Sequence, residues 1–357
     1  MVEFLTLHEI VKAARVNLSQ NHWDYLIGAA ETETSRNRNR IALDGWAFRP
    51  RVLNDVSEVR IERTFMGSRL RMPVVLPPIG SIQVVEAGGG ASVAEAVDQF
   101  GTMMILSSVC LPDFEAVAKV GSAPKVFQLY LLGDEAWMDD HIARAIEAGY
   151  VGFCLTVDTQ VYSRRERDIL KRHVPASGRR SGASDFGNQA KMTWATVEHV
   201  KRTFDIPLYL KGVNVADDAK RALDTGADVI WVSNHGGRQL DHCRGCLDAL
   251  QEVAAAVAKR APVIVDGGFM RGTDVIKGLC LGADAVATGR LEALAMAAGG
   301  AAAVLRALEI LEFEIKTNMA LLGVASLDAL GPELLERAPA LPNAHALSAF
   351  PLLDEGY

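Results

Sequence analysis

The sequence predicts an α/β protein: a (β/α)8 barrel with an N-terminal helical extension and a long loop after its fourth strand. Three observations lead there. Eight short apolar runs recur, at 73–77, 103–107, 126–129, 153–157, 208–211, 229–233, 263–266 and 285–288, most starting 21 to 34 residues apart. They lack strict apolar–polar alternation, as expected of parallel strands buried on both faces. Helical patterns lie between several of them, at 139–148, 216–225 and 247–258. Repeated β-then-α units of this number favour a barrel. A doubly wound parallel sheet is the alternative, because the pattern alone does not close the sheet.

Ahead of the first strand, 7–15, 23–30 and 31–43 read as helices, a prelude over 1–70 packed on a barrel of 71–330. One interval is long: 55 residues separate Phe153 from Leu208, and 176–188 is rich in glycine and serine. A polar segment of that length after a strand end is an active-site lid or a surface loop, and a lid is the expectation. Residues 331–357 are punctuated by proline and read as a tail to this single domain.

The 357 residues are 49% hydrophobic and 23% charged, a globular composition. A net charge of −7, with its acids dispersed, argues against nucleic acid and against an anionic membrane surface. The longest stretch free of Asp, Glu, Lys and Arg, 338–353, is broken by prolines and falls short of the ~20 residues a bilayer needs. The first ten residues lack the layout of a secretion signal. Five cysteines suggest no disulfide framework, so a cytoplasmic location is expected. No metal is expected either. Cys243-Arg244-Gly245-Cys246 is half a zinc site at best and reads as two ordinary thiols at a helix start.

Reactive groups in such barrels come from the C-terminal strand ends. There the chain has Gln128-Leu129-Tyr130, Thr156-Val157-Asp158, Lys211-Gly212, Ser233-Asn234-His235-Gly236-Gly237-Arg238-Gln239, Asp266-Gly267-Gly268 and Gly289-Arg290. Any one of these suits an ordinary surface polar group, but their convergence on one rim points to chemistry. Gly267-Gly268 and Gly289-Arg290 follow strands seven and eight, the usual phosphate site, where glycine amides and an arginine fork meet an anion.

The string 233–239 resembles the signature of the FMN-dependent L-2-hydroxy acid oxidase/dehydrogenase family, the group of glycolate oxidase, lactate oxidase and mandelate dehydrogenase. Ordered similarities run from about residue 7 to 330. They include Trp23-Asp24-Tyr25, Phe48-Arg49-Pro50-Arg51, Leu106-Ser107-Ser108, Phe127-Gln128-Leu129-Tyr130, Thr156-Val157-Asp158-Thr159, Arg164-Arg165, Lys211-Gly212, Asp266-Gly267-Gly268 and Gly289-Arg290. The resemblance implies a (β/α)8 barrel, bound FMN, a small 2-hydroxy acid substrate and a homo-oligomer, a tetramer in the family.

It also implies roles. His235 takes a proton from the substrate while two electrons pass from carbon 2 to flavin N5, and Asp158 steadies the imidazolium. Arg165 and Arg238 correspond to the pair that clamps the substrate carboxylate, and Tyr25 and Tyr130 to phenols that bind substrate oxygens. Lys211 corresponds to the cation beside flavin N1 and O2. Ser107, Gln128, Thr156 and Ser233 fall on other ring contacts, and Pro78, Ile79 and Gly80 on the segment facing the ring. Asp266, Gly267, Gly268, Arg271, Gly289 and Arg290 complete the cofactor set. The implied reaction yields the 2-oxo acid, with reoxidation by oxygen or another acceptor. A decarboxylating monooxygenase, or a flavin-free phosphate-binding barrel isomerase or lyase, is the alternative.

Four features depart from the family pattern. Pro78-Ile79-Gly80 replaces Pro-Thr-Ala, and Glu86-Ala87-Gly88-Gly89-Gly90 replaces a His-Pro-Glu-Gly-Glu-like segment. Val109 stands where glycolate oxidase has tryptophan. Met270 takes an arginine position, with Arg271 one residue later. A missing methyl at Gly80 and a small Val109 predict room for a bulky or aromatic 2-hydroxy acid. Met270 predicts weaker FMN retention unless Arg271 swings in.

Overall fold

The computed structural model describes residues 4–174, 186–339 and 341–357. Eight parallel strands pair in chain order and close on themselves: β1 (Val74–Leu76), β2 (Met103–Ser107), β3 (Lys125–Leu129), β4 (Gly152–Thr156), β5 (Leu208–Val213), β6 (Val229–Val232), β7 (Val263–Val265) and β8 (Ala285–Ala287). Pairing of β8 with β1 closes the barrel and removes the doubly wound alternative. Each strand falls on one of the predicted apolar runs.

Strand periodicity places the site. In β2, Met103 and Ile105 join the inner core while Met104 and Leu106 pack outward on the helices. Val126, Cys154, Tyr209, Trp231 and Ile264 are the inward counterparts on other strands. Phe65 and Leu70, from the hairpin Arg63–Phe65 and Ser68–Leu70 just before β1, join that core. Carried one step further, the two-residue period sends Ser107, Gln128, Thr156, Lys211, Ser233 and Asp266 to the inner face at the C-terminal rim. Register agrees, with Ser107 opposite Gln128 and Thr156 opposite Lys211.

The prelude helices, Leu7–Asn17, Gln20–Ile27 and Thr34–Asp44, brace this rim. Arg40 bridges Asp274 at 2.7 Å, both buried, and Asn39 exchanges two 2.9 Å side-chain bonds with Asn234 beside the β6 end. Breaking such a buried pair by removing one partner costs about 3–5 kcal/mol. The helix Gly289–Leu322 is long and apolar enough to cross a bilayer. Gly299 and Gly300 interrupt its helical dihedrals, however, and it packs largely buried against Leu7–Asn17 and Gly90–Phe100. Near the C-terminus, Leu335–Arg337 pairs antiparallel with Trp46–Phe48, and Phe350 is buried edge-on against His8 at 5.3 Å. Of the 176–188 stretch expected as a lid, 176–185 lie outside the described residues, and 186–188 belong to the helix Phe186–Ala190.

Candidate active site

Six polar side chains finish the inward rows of β2 to β7, and all are buried. Lys211 is their hub. Its Nζ donates to Ser233 Oγ at 2.9 Å and lies 3.6 Å from Asp266 and 3.8 Å from Asp158. Burial alone disfavours the ammonium, but the two carboxylates outweigh it and raise its pKa. Ser233 Oγ in turn donates to Asp266 at 2.8 Å and accepts the His235 N–H at 3.0 Å. Gly212 makes this crowding feasible. It has φ of 118° at a break in the β5–β6 register, and a Cβ there would stand 2.8 Å from the Asp158 backbone nitrogen.

His235 starts the loop after β6 in the left-handed region, φ 58°, a strained setting uncommon outside glycine and typical of functional positions. Its Nδ1 lies 2.9 Å from Asp158 Oδ1 and 3.2 Å from Thr159 Oγ1. Burial pushes the Asp158 carboxyl up, but Lys211 and His235 hold it down to about 2. That carboxylate only accepts, so Nδ1 carries the hydrogen and Nε2 keeps its lone pair. Nε2 faces the Tyr130 hydroxyl at 3.4 Å. Burial lowers the His235 pKa below its ordinary value, with Lys211 and Arg165 adding to the fall against the upward pull of Asp158. The imidazole is therefore neutral at neutral pH.

Two cavities meet at His235. The smaller is lined by Tyr130, Arg165, Val109, Leu132, Tyr162 and Gln239, among others. The larger runs past Pro78, Ile79, Lys211, Asp266, Gly267 and Gly268 to Gly289 and Arg290. Tyr25, Gly80 and His235 border both. Tyr25 donates to the Gly80 carbonyl at 3.0 Å. Arg238 lies over the Tyr25 ring at 5.0 Å and donates to the Tyr25 and Gly28 carbonyls at 2.6 and 2.9 Å. Arg165, nearly buried, stacks over Tyr162 at 4.5 Å. One expectation needs correction here. A Cβ at Gly80 would lie 2.8 Å from Val109 Cγ2, so the missing methyl makes way for Val109 and not for a ligand. That leaves the expectation of a roomier pocket resting on position 109 alone.

At the far end of the larger cavity, Arg290 is half-buried and, among the described residues, donates only to carbonyls, Leu26 at 3.2 Å and Gly28 at 3.1 Å. Burial, then Arg238 and Arg36, bring its pKa down to about 9. An arginine does not give up its proton readily, so the fall marks a crowded cation that forms no ion pair among the described residues. Gly267, with φ of 103°, and the uncapped start of the helix Gly289–Leu322 adjoin it, a setting suited to phosphate. Arg271 is not there. Its guanidinium pairs with Glu314 at 2.6 Å and donates to the Ala349 carbonyl at 3.2 Å. Arg271 is the N-cap of the helix Gly272–Cys280 and points away from the cleft, whereas buried Met270 lines it.

These residues fit FMN on their own chemistry. Both amide atoms of Gln128 and the Thr156 hydroxyl are buried without partners among the described residues, as an edge of ring nitrogens and oxygens would require. The unneutralised Arg290 suits the phosphate tail. Comparison decides the lineage: residues 14–337 match the FMN-dependent dehydrogenase family. The chain belongs to that family. FMN is its cofactor, and it is an oxidoreductase of the group that acts on 2-hydroxy acids. An L-lactate oxidase of Nostoc sp. is 36% identical over 356 residues, covering 93% of this chain and 98% of the relative. Glycolate oxidase 3 of Arabidopsis thaliana is 36% identical over 346 residues, covering 91% and 94%. A crystal structure of mandelate oxidase aligns with a TM-score of 0.89 at 34% identity, covering 95% and 99%. A soluble mutant of the membrane-associated (S)-mandelate dehydrogenase of Pseudomonas putida gives 0.87 at 30%, covering 94% and 100%.

For this FMN-dependent dehydrogenase, sequence reasoning had assigned no role to Thr159, Leu132, Tyr162 or Gln239. Thr159 and Gln239 stood inside quoted motifs, whereas Leu132 and Tyr162 carry no local signal. Cys246 is buried at the start of the helix Cys246–Val257, its sulfur accepting the Asn234 N–H at 3.2 Å. Cys243 and Cys246 are free thiols, and no group of three or more metal-binding side chains occurs among the described residues.

Proposed function

We propose that this chain oxidises an L-2-hydroxy acid with a bulky or aromatic substituent to the 2-oxo acid, with His235 as the base. The observation that carries the reading is the His235 Nε2 lone pair, fixed by the 2.9 Å contact of Nδ1 with Asp158 at the junction of the two cavities. Ser107, Gln128, Thr156, Lys211 and Ser233 would hold the FMN ring, and Gly267, Gly268, Gly289 and Arg290 its phosphate. FMN, when bound, accepts the two electrons leaving carbon 2.

The chain does the rest. Arg165 and Arg238 fix the substrate carboxylate, which orients carbon 2 and turns an encounter into a near-attack geometry. Tyr25 and Tyr130 meet substrate oxygens. His235 Nε2 takes a proton from the substrate, and the Asp158 carboxylate stabilises the imidazolium that results. Val109, Leu132 and Tyr162 give the substituent an apolar wall, and the mandelate oxidase structures support an aromatic one. Anaerobic mixing of the holoenzyme with glycolate, lactate, a long aliphatic 2-hydroxy acid and mandelate tests both parts. Mandelate or the long acid should bleach the yellow flavin fastest, and readmitted air reports whether oxygen is the acceptor. A clear preference for glycolate contradicts the pocket reading.

A further inference from the structure

One buried side chain of the smaller cavity has no task in this scheme. Gln239 follows Arg238 on the loop after β6 and is 7% exposed, yet neither its Oε1 nor its Nε2 has a partner among the described residues. Buried carboxamides are hydrogen-bonded in finished structures, so a doubly orphaned one waits for a ligand. The same cavity holds a second orphan, Nε of Arg165. The unpaired atoms are complementary with one gap. Arg165 Nε–H is a donor and Gln239 Oε1 an acceptor, whereas the Gln239 Nε2 hydrogens lack an acceptor. Arg165 lines this cavity and Arg238 the larger one that meets it at His235, and a carboxylate is what such a pair would hold at the junction.

We propose that Gln239 is a third carboxylate-binding residue. With ligand in place, Nε2–H donates to a carboxylate oxygen and Oε1 accepts the Arg165 Nε–H, so that one amide both reads the anion and holds the guanidinium that clamps it. This rests on the reading of Arg165 and Arg238 as the clamp. It makes the site discriminate against neutral analogues of the acid, because the bonds Gln239 and Arg165 gain are charge-assisted.

A matched pair of unreactive ligands tests this: 2-oxo-2-phenylacetate and its carboxamide, titrated into oxidised holoenzyme and followed by the flavin spectrum. Gln239→Met should weaken the carboxylate about tenfold or more and the carboxamide less than about threefold, with FMN content unchanged. Gln239→Glu keeps the side-chain shape and should weaken the carboxylate further, by like charge. Equal weakening of both ligands, or carboxylate binding at the wild-type Kd, overturns the proposal. Arg165→Met separates the two readings. If it leaves carboxylate binding intact, the clamp itself is wrong. If it weakens binding while Gln239→Met does not, only the role of Gln239 falls.

Discussion

Replacing Asp158 by asparagine removes one charge and keeps the shape. The carboxylate sits 2.9 Å from His235 Nδ1, with Lys211 Nζ at 3.8 Å on its other oxygen. With charge centres about 4 Å apart and an effective dielectric of about 20, it stabilises a full imidazolium by roughly 4 kcal/mol. A transition state carrying half to all of that charge loses roughly 2–4 kcal/mol, or about 30- to 1,000-fold in rate. The pH dependence carries a sign of its own. His235 acts as a neutral base, so activity falls as pH drops through its pKa, which burial sets below the ordinary 6.5 despite the upward pull of Asp158. Asparagine removes that pull, so the acid limb moves to lower pH. Anaerobic stopped-flow bleaching by the preferred 2-hydroxy acid, from acid to neutral pH, measures both effects. A loss below about fivefold, or an acid limb displaced upward, refutes the reasoning.

Three further outcomes follow from the geometry. Arg290→Met should weaken FMN retention about 10- to 100-fold by losing a charge-assisted contact. Arg271→Met should retain FMN as well as the wild type and lower Tm instead, because it unties Glu314; flavin released into ultrafiltrates distinguishes them. Gly80→Ala should cost about 1–3 kcal/mol in thermal unfolding by overpacking against Val109. Val109→Ala in the same chain should recover most of it, and strictly additive effects in the double-mutant cycle count against the contact. Arg165→Met or Arg238→Met should cost about 3–5 kcal/mol in kcat/KM by stranding a buried anion, against about 0.5–1.5 kcal/mol for Tyr25→Phe or Tyr130→Phe. Equal losses in steady-state kinetics contradict the ranking.

The barrel was legible because burial on both faces leaves each strand an unbroken apolar run, and because the inward rows of β2 to β7 change to polar at the same end. Lys211, Ser233 and Asp266 announce the rim in this way before any coordinate is known. Contacts made across the chain were not legible. The pairing of Trp46–Phe48 with Leu335–Arg337 joins segments almost a chain length apart, and neither carries a local strand signal. The Phe65–Leu70 hairpin is too short for periodicity to mark. Arg271 was misplaced because adjacency in sequence says nothing about which side of a helix start a side chain leaves from, and Glu314 claims it. Gly80 was read as empty space because only the fold shows Val109 occupying it. Gln239 lay inside the most specific string of the sequence, yet its unpaired state appears only when its neighbours are in place.

The most direct test of the account is flavin reduction by the preferred 2-hydroxy acid in His235→Asn, anaerobically and in a single turnover. The account predicts full FMN content, near-normal binding of the 2-oxo acid and bleaching slowed about 100- to 10,000-fold, the contribution of a positioned base. Bleaching at close to the wild-type rate would show that the proton goes elsewhere.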